Sequence, residues 1–435
     1  MEDVFGVKKE NGQLNKTSKT FCMHPFTGLA TREDGAILAC CRSHPIGWIQ
    51  EDSLENIWNN RTMQRMRKQV LNNERPPECL PCFRLEDQGV ESLRQRHIAG
   101  KIPEARINLY PDSLDVLDEN YNMPFEIPTM EIKLNNLCNL KCRMCHPMDS
   151  TSWNDWKEVE EFYIKENNFM VNSINELNLL KKPYLDKFED STNWWNSFEK
   201  LLPYFRRVEF AGGEPLMDPQ HYRILDMLES YGNQIEIKYA TNLTVLGIKG
   251  GRTIWDYWPK FKSVAINVSI DGIDNSYEHI RGNADWNVLV ENIKKIQTIP
   301  NISRIVGAVA VQVGNILILD KMIETFLNDL GIVFYTNMVN FPRVLCPQVL
   351  PKELKHLAIQ RLENVKDKID SFRLVKQQPQ LSELTHNQIQ VIINFINAKD
   401  QSEHWNDCIE FNRRLDRSRN QKDFTDINPE FILYV

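Results

Sequence analysis

The chain has 435 residues, of which 42% are hydrophobic and 26% charged, and its formal net charge is −7. This composition is typical of globular proteins, and the length allows more than one domain. No apolar run approaches the roughly 18 residues that a membrane span needs, and residues 1–19 lack the apolar core of a signal peptide. We therefore expect a cytoplasmic protein without a membrane partner. The acidic balance argues against a broad nucleic-acid surface.

The first region of the chain is rich in cysteine. Five of the ten cysteines lie between residues 21 and 100, and in a reducing compartment such clustering indicates metal ligation before disulfide bonds. A proline-rich stretch then disfavours regular structure, because proline fixes φ and lacks an amide hydrogen. We predict a small cysteine-rich N-terminal domain over 1–100 and a linker over 101–129. The five cysteines are Cys22, Cys40, Cys41, Cys79 and Cys82.

From residue 130 onward, β-like apolar runs alternate with helical segments. This alternation predicts an α/β fold with a parallel sheet and right-handed crossovers, and the span fits six βα units better than the usual eight. We predict a partial (β/α)6 barrel over 130–342 and a helical C-terminal extension over 343–435. The predicted strands are 130–134, 207–210, 235–241, 263–270, 302–313 and 332–339. The predicted helices are 150–165, 220–231, 284–296, 319–330, 352–366 and 387–397.

One stretch, 166–200, is longer than a simple connection between a helix and a strand needs. Long insertions in such units are often functional. The alternative is a helical excursion that packs Trp194 and Trp195 on the barrel wall. The sequence alone leaves both open, and it also leaves the charged segment 407–429 ambiguous.

Three cysteines follow the first predicted barrel strand at the spacing C-x3-C-x2-C. They are Cys138, Cys142 and Cys145. Three thiolates on one tight loop can each bind one iron of a [4Fe–4S] cluster, and the fourth iron is then open to a small molecule. The alternatives are three structural cysteines or a zinc knuckle, in which His146 would supply a fourth ligand.

This loop resembles the signature of the radical S-adenosylmethionine (SAM) superfamily. The resemblance implies that the methionine group of SAM chelates the fourth iron. An electron from the cluster then cleaves the sulfonium, and the resulting 5′-deoxyadenosyl radical abstracts hydrogen from a substrate. It also implies an electron donor such as flavodoxin or ferredoxin. The residue before the third cysteine is usually aromatic in this family, whereas here it is Met144, whose thioether can still pack on an adenine ring.

Further polar and glycine residues follow the later predicted strands. The second strand ends in Gly212-Gly213-Glu214-Pro215, which matches the GGEP motif whose backbone holds the methionine amino group in that family. Active sites of barrels are built on this rim of strand ends. Alone, each residue is more often part of a turn or a helix cap. The resemblance implies contacts to the ribose, the substrate or the methionine carboxylate for Asn242, Ser269, Asp271 and Arg281.

The N-terminal cysteines resemble the auxiliary-cluster domains of the SPASM/twitch type. Cys40 follows Gly35 after four residues, Leu54 begins a Leu-x-x-Ile-Trp segment, and Cys79 and Cys82 form a C-x2-C pair. The resemblance implies an auxiliary [4Fe–4S] cluster, although such domains usually follow the barrel. A structural zinc site on the same four cysteines is the alternative. The implied ligands are Cys22, Cys40, Cys79 and Cys82, with Cys41 as a spare thiol.

The substrate is the least determined part of this interpretation. Enzymes with such auxiliary domains often act on peptides, protein side chains or small molecules, so the resemblance favours a peptide or protein side chain. Two alternatives are a radical SAM enzyme that modifies nucleic acid, and a non-catalytic iron–sulfur sensor or scaffold on the same fold. Cys346 and Cys408 are isolated in the sequence, and we expect both to be buried, unreactive thiols.

Overall fold

The computed structural model describes residues 19–87, 91–99, 116–166 and 188–434. Its centre is one nine-stranded sheet in the order β3-β2-β1-β4-β5-β6-β7-β8-β9. Within the described ranges, no helix is both long and apolar enough to cross a membrane. The strands are β1 Gly28–Thr31, β2 Ala36–Leu38, β3 Pro45–Trp48, β4 Thr129–Ile132, β5 Arg207–Phe210, β6 Glu236–Thr241, β7 Ser263–Ser269, β8 Ile302–Val311 and β9 Val333–Met338.

The six strands β4 to β9 are parallel and hydrogen-bonded in sequence order. This is the expected partial barrel of the α/β class, and the fold prediction is confirmed. Along each strand, residues alternate between two faces because the side-chain period is two. On β4, Met130 and Ile132 are buried in the main core, whereas Glu131 is half-buried on the other face. We call the second face of the parallel strands the inner face.

Helices cover the outer face and form the C-terminal region. The helices of the N-terminal region are His24–Thr27, Leu54–Trp58, Arg61–Leu71, Leu80–Asp87 and Leu93–Ile98. Those of the barrel are Trp156–Lys165, Thr192–Leu201, Pro219–Leu228, Ile254–Tyr257, Asp274–Ile280, Trp286–Ile296 and Leu319–Glu324. Those of the C-terminal region are Lys352–Lys366, Arg373–Gln377, Gln380–Ala398, Trp405–Arg419 and Phe424–Ile427. The predicted helical C-terminal extension is therefore confirmed.

The cysteine-rich N-terminal region continues the barrel sheet. Strand β1 pairs in parallel with β4, with Gly28 opposite Thr129, and β2 and β3 add antiparallel strands beyond it. The Thr31 hydroxyl donates to the Lys133 carbonyl at 2.9 Å and accepts from the Lys133 amide at 2.7 Å. A region that precedes the barrel in sequence is thus docked by ordinary strand pairing. Residues 101–115 of the predicted linker lie outside the described part of the chain.

The tryptophans of the 166–200 stretch pack as core residues. Trp194 and Trp195 lie in the helix Thr192–Leu201 and are 0% and 8% exposed. The same helix contacts the N-terminal region, because the Ser197 hydroxyl accepts from the Leu54 amide at 3.2 Å. This favours the packing interpretation for the two tryptophans. Residues 167–187 lie outside the described ranges, so the prediction for the rest of the insertion stays open.

The C-terminal helices pack against two parts of the barrel, the edge strand β9 and the helix Trp156–Lys165. The helix Gln380–Ala398 lies against the edge strand β9, where the Gln388 side-chain amide donates to the Phe334 carbonyl at 2.6 Å. This contact uses a backbone acceptor that an edge strand would otherwise leave open. The helix Trp405–Arg419 packs against Trp156–Lys165, with Phe411 and Phe162 in edge contact at 5.5 Å. The ambiguous segment 407–429 is therefore largely helical.

Candidate active site

The ends of the parallel strands bring the predicted site residues to one rim of the barrel. The three-cysteine loop follows β4, the GGEP turn follows β5, and Asn242 follows β6. Ser269 ends β7 as a half-buried residue, and Asp271 lies two residues beyond it. Parallel strands end at the same edge of a sheet, and the site therefore assembles from residues far apart in the chain.

Backbone contacts from two directions hold the three-cysteine loop. The Lys141 and Arg143 amides donate to the Gly282 and Ile280 carbonyls at 3.0 and 2.9 Å. From the other side, the Trp153 indole donates to the Cys142 carbonyl at 2.7 Å and the Ser150 hydroxyl to the Leu140 carbonyl at 2.6 Å. Ser150 and Trp153 make these contacts from a non-helical segment, and the helix predicted from residue 150 begins only at Trp156.

The three thiols of this loop are largely withdrawn from solvent. Cys138 and Cys142 are 9% and 5% exposed, and Cys145 is half-buried. Burial raises the pKa of Cys138 to about 12. A hydrogen bond with Cys145 lowers the pKa of Cys142 to about 7, and the same bond raises that of Cys145. Thiolates are the iron ligands, so metal loading must displace protons here. Three buried thiols on one loop fit an iron–sulfur cluster.

Two glycines let the GGEP turn approach the cysteine loop. Gly212 has φ of +123°, in a region that favours glycine. A Cβ atom on Gly213 would lie 2.3 Å from the Leu137 carbonyl oxygen, which is far inside van der Waals contact. The next amide, that of Glu214, donates to this same Leu137 carbonyl at 2.7 Å. The turn and the start of the cysteine loop are therefore held in direct backbone contact.

The Glu214 carboxylate is satisfied within the protein. It accepts from the Thr241 hydroxyl at 2.6 Å, the Asn242 amide at 2.6 Å and the Leu216 amide at 3.1 Å. The side chain is 1% exposed, and burial raises its pKa to about 7. Glu214 thus fixes the GGEP turn against the end of β6. Pro215 follows as the first residue of the short 3₁₀ helix Pro215–Met217.

Arg281 is held by a buried ion pair at the end of β7. Its Nε donates to the Asp271 carboxylate at 2.7 Å, and the Ala310 amide donates to the same carboxylate at 2.6 Å. Asp271 is fully buried and Arg281 is 9% exposed. Within the described residues, no hydrogen bond is formed by the two Nη groups of Arg281. Its forked end is therefore oriented by Asp271 while leaving donors for an anion such as a carboxylate.

Two further side chains contact the loop directly. The Asn242 side-chain amide lies 3.9 Å from the Cys138 sulfur and donates to the Asn139 side chain at 3.0 Å. The side-chain amide nitrogen of Gln312 lies 4.0 Å from the Met144 sulfur. Asn242 and Met144 were predicted as cofactor contacts, and both lie on this loop or against it. Their contacts with a cofactor stay predictions.

Four of the five N-terminal cysteines lie close together, and the fifth turns away. Electrostatic interactions link each member of this group to the others: Cys22, Cys40, Cys79 and Cys82. Burial is the main cause that raises the pKa of Cys22 to about 12, and the neighbouring Cys79 and Cys82 add to it. Cys41 instead contacts the Glu131 side chain on the inner face of β4. The structure therefore groups the four predicted ligands. It also explains why the adjacent Cys41 is separate from them.

Four cysteine thiolates can hold either a structural zinc ion or an iron–sulfur cluster. In the described part of the chain, no group of three or more His, Cys, Asp or Glu side chains is arranged to hold a single metal ion. A structural zinc needs four ligands around one centre at about 2.0–2.3 Å. A [4Fe–4S] cluster instead binds one thiolate at each of its four irons.

Replacing Cys79 and Cys41 separately will distinguish a ligand from a spare thiol. After anaerobic reconstitution, Cys79→Ala is expected to lower the bound iron from about eight to about four atoms per chain, since one of two [4Fe–4S] clusters is lost. Cys41→Ala is expected to retain the full amount. Iron and acid-labile sulfide are measured per chain. Equal iron in both variants would contradict the proposed ligand set.

Sequence reasoning missed Arg143 and Arg419, which contact the cysteine loop from within and from the C-terminal helix. Arg143 lies inside the C-x3-C-x2-C segment and is 1% exposed, a position that a motif search treats as variable. Arg419 lies 274 residues after Cys145 in the chain, and no local pattern connects the two.

Comparisons with known proteins agree with this geometry. The Radical SAM superfamily model matches residues 132–308, and the SPASM model, an iron–sulfur cluster-binding domain, matches residues 22–83. A search of curated proteins found no match.

Among solved structures, similarity is distant. Streptococcus suis SuiB bound to S-adenosylmethionine is 14% identical, with a TM-score of 0.32 over 71% of this chain and 63% of SuiB. SuiB bound to the precursor peptide SuiA is 13% identical, with a TM-score of 0.32, and the match covers 73% of this chain and 63% of SuiB. TYW1 with a bound lysine–pyruvate adduct is 13% identical, with a TM-score of 0.28, and the match covers 57% of this chain and 71% of TYW1. The chain thus spans less than two thirds of SuiB.

The two family matches cover both groups of cysteines and the GGEP turn. They imply a [4Fe–4S] cluster and SAM for the barrel and an auxiliary iron–sulfur cluster for the N-terminal region. The chain is an enzyme of the radical SAM superfamily with an N-terminal iron–sulfur cluster-binding domain of the SPASM type.

Proposed function

We propose that this enzyme cleaves SAM reductively and abstracts a hydrogen atom from a peptide or protein side chain. The observation that carries the proposal is the position of the two cysteine groups. The three-cysteine loop follows the carboxyl end of β4, whereas Cys40 follows β2 at the level where β1 and β4 begin. Along the strand direction, the two groups therefore lie towards opposite ends of β4.

The residues of the rim have distinct roles in this proposal. A [4Fe–4S] cluster bound to Cys138, Cys142 and Cys145 would supply the one electron that cleaves the sulfonium C–S bond of SAM into methionine and a 5′-deoxyadenosyl radical. Arg281, oriented by Asp271, binds the methionine carboxylate. The Gly212–Gly213 backbone accepts from the methionine amino group, and Glu214 keeps that backbone in place. Asn242 and Ser269 face the nucleoside or the substrate from the ends of β6 and β7.

The side chains of the inner face are evidence for a polar substrate that extends across several strands. Glu131, Glu209 and Lys238 occupy one register across β4, β5 and β6, and Lys238 pairs with Glu209 at 2.9 Å. Beyond β4, the face continues over β1 to β3 with the small apolar group Ala30, Leu38 and Trp48. A surface with charged and apolar parts side by side suits a peptide better than a small alcohol.

Substrate class is tested by stimulation of SAM cleavage. The reconstituted enzyme, reduced by flavodoxin or ferredoxin, is incubated with SAM and one of three additions: a pool of synthetic peptides, a mixture of free amino acids and alcohols, or single-stranded RNA. The formation of 5′-deoxyadenosine is measured, and peptides are examined by mass spectrometry for loss of hydrogen. We expect the peptide pool to stimulate cleavage and to contain modified members.

The other outcomes identify the alternatives. Stimulation by RNA alone would replace the peptide with a nucleic-acid substrate. Stimulation by free amino acids or alcohols alone would indicate a small-molecule enzyme. A fully loaded protein that cleaves no SAM with any addition would support the sensor or scaffold interpretation and contradict the proposed function.

A further inference from the structure

The last turn of the helix Trp405–Arg419 reaches the three-cysteine loop. The Arg419 side chain is 1% exposed. Its Nε donates to the Asp155 carboxylate at 2.8 Å, and its Nη1 donates to the Lys141 carbonyl at 2.8 Å. Lys141 lies between Cys138 and Cys142, so a residue of the C-terminal extension holds the loop within the cysteine motif itself.

One donor group of Arg419 has no partner in the described part of the chain. Its Nη2 is buried and forms no hydrogen bond there. The guanidinium lies 4.9 Å from the centre of the Trp153 ring, and the indole of Trp153 donates to the Cys142 carbonyl at 2.7 Å. A buried donor that lacks a partner is costly. A buried, unpaired cationic donor on the residue that holds the Lys141 carbonyl is therefore available to an anionic group bound at this loop.

A second buried arginine, Arg143, lies within the loop itself. Unlike Arg419, it uses its donors for hydrogen bonds within the protein. It donates to the His279 carbonyl at 3.0 Å and to the Asn412 side chain at 3.0 Å, and it forms a close ion pair with Asp416. Arg143 therefore anchors the loop to the C-terminal helix. Of these two arginines, only Arg419 has a buried donor without a partner among the described residues.

We propose that Arg419 is a positioning residue of the core cluster site, which fixes the loop at Lys141 and places a positive charge and a buried, unpaired donor against the loop. Hydrogen bonds to the sulfurs and a nearby positive charge both raise the reduction potential of iron–sulfur clusters, because they stabilise the more negative reduced state. Arg419 thereby makes the core cluster easier to reduce. The inference rests on the proposed assignment of Cys138, Cys142 and Cys145 as cluster ligands.

The test compares Arg419→Gln with Arg419→Lys and with a control two residues away. Arg417→Gln removes an arginine of the same helix that is 67% exposed and hydrogen-bonds Glu410. Iron per chain, the electron paramagnetic resonance signal and the midpoint potential of the core cluster are measured after anaerobic reconstitution. We expect Arg419→Gln to bind at least twofold less core-cluster iron, with a more negative potential. Arg419→Lys keeps the charge and is expected to restore the potential.

Wild-type iron content and potential in Arg419→Gln would overturn the proposal. Lower iron with an unchanged potential would also overturn it, because a purely structural contact explains that result. Retained auxiliary-cluster iron reports that a variant is folded. If Arg419→Gln does not fold, Asp155→Asn, which weakens the hold on Arg419, decides in the same way. If Cys142→Ala itself keeps all core-cluster iron, the ligand assignment fails rather than the role of Arg419.

Discussion

Alanine at Cys142 is expected to reduce the formation of 5′-deoxyadenosine to the detection limit while the N-terminal cysteines stay loaded with iron. Cys142 is the central cysteine of the loop, 5% exposed and tied through its carbonyl to the Trp153 indole. Its loss removes one of three thiolates that each hold one iron. The assay uses reconstituted protein, SAM and a strong reductant under anaerobic conditions, with iron measured per chain.

The matched control for this variant is Cys346→Ala. Cys346 is a buried thiol, 1% exposed, that lies against Gln348 and Gln401 rather than in the three-cysteine loop. We expect it to keep wild-type SAM cleavage. Turnover retained by Cys142→Ala would contradict the assignment of this loop as the core cluster site. Loss of activity in both variants would show that the assay responds to general destabilisation.

Alanine at Gly213 is expected to lower SAM cleavage about 100-fold, because a misplacement of about 1 Å at a catalytic site has an effect of this size. The new Cβ would lie 2.3 Å from the Leu137 oxygen and 2.6 Å from the Asn136 carbonyl carbon. Both are backbone atoms just before Cys138, so relief requires the turn or the cysteine loop to move. The measurements are SAM binding and the rate of 5′-deoxyadenosine formation.

Gly251→Ala provides the control for added volume. A Cβ there would meet the Ile248 oxygen at 3.5 Å, an ordinary contact distance. We expect wild-type SAM binding and cleavage in this variant. A Gly213→Ala protein with wild-type affinity and rate would show that the close approach of the GGEP turn to the cysteine loop is not needed for the reaction.

The barrel was predictable because its strands are short apolar runs separated by amphipathic helices. Strand 207–210 was predicted with the bounds that the structure has, and helix 352–366 likewise. Differences arise where tertiary contacts override local pattern. The predicted helix 319–330 is α-helical only to Glu324 and continues as a π-helix to Leu330. Strand β8 ends at Val311, two residues before the predicted end, because the backbone amide of Gln312 donates to the Asn315 side chain instead of to a neighbouring strand.

The candidate site was only partly predictable, for a physical reason. Cysteine spacing and a Gly-Gly turn are local patterns, and the sequence therefore located the loop and the GGEP motif. Contacts between distant segments leave no such trace. The pairing of Asp271 with Arg281, the separation of Cys41 from its four neighbours and the reach of Arg419 to Lys141 each depend on how the chain folds back.

The pairing of β1 with β4 also affects the order in which the protein is made. Thr31 and its partner Lys133 are 102 residues apart, so the N-terminal region leaves the ribosome well before the strand that completes its edge. Chains generally fold from the N-terminus during synthesis, and an open strand edge can pair with other chains. The auxiliary region must therefore wait for β4. Its assembly is coupled to that of the barrel, although it is translated first.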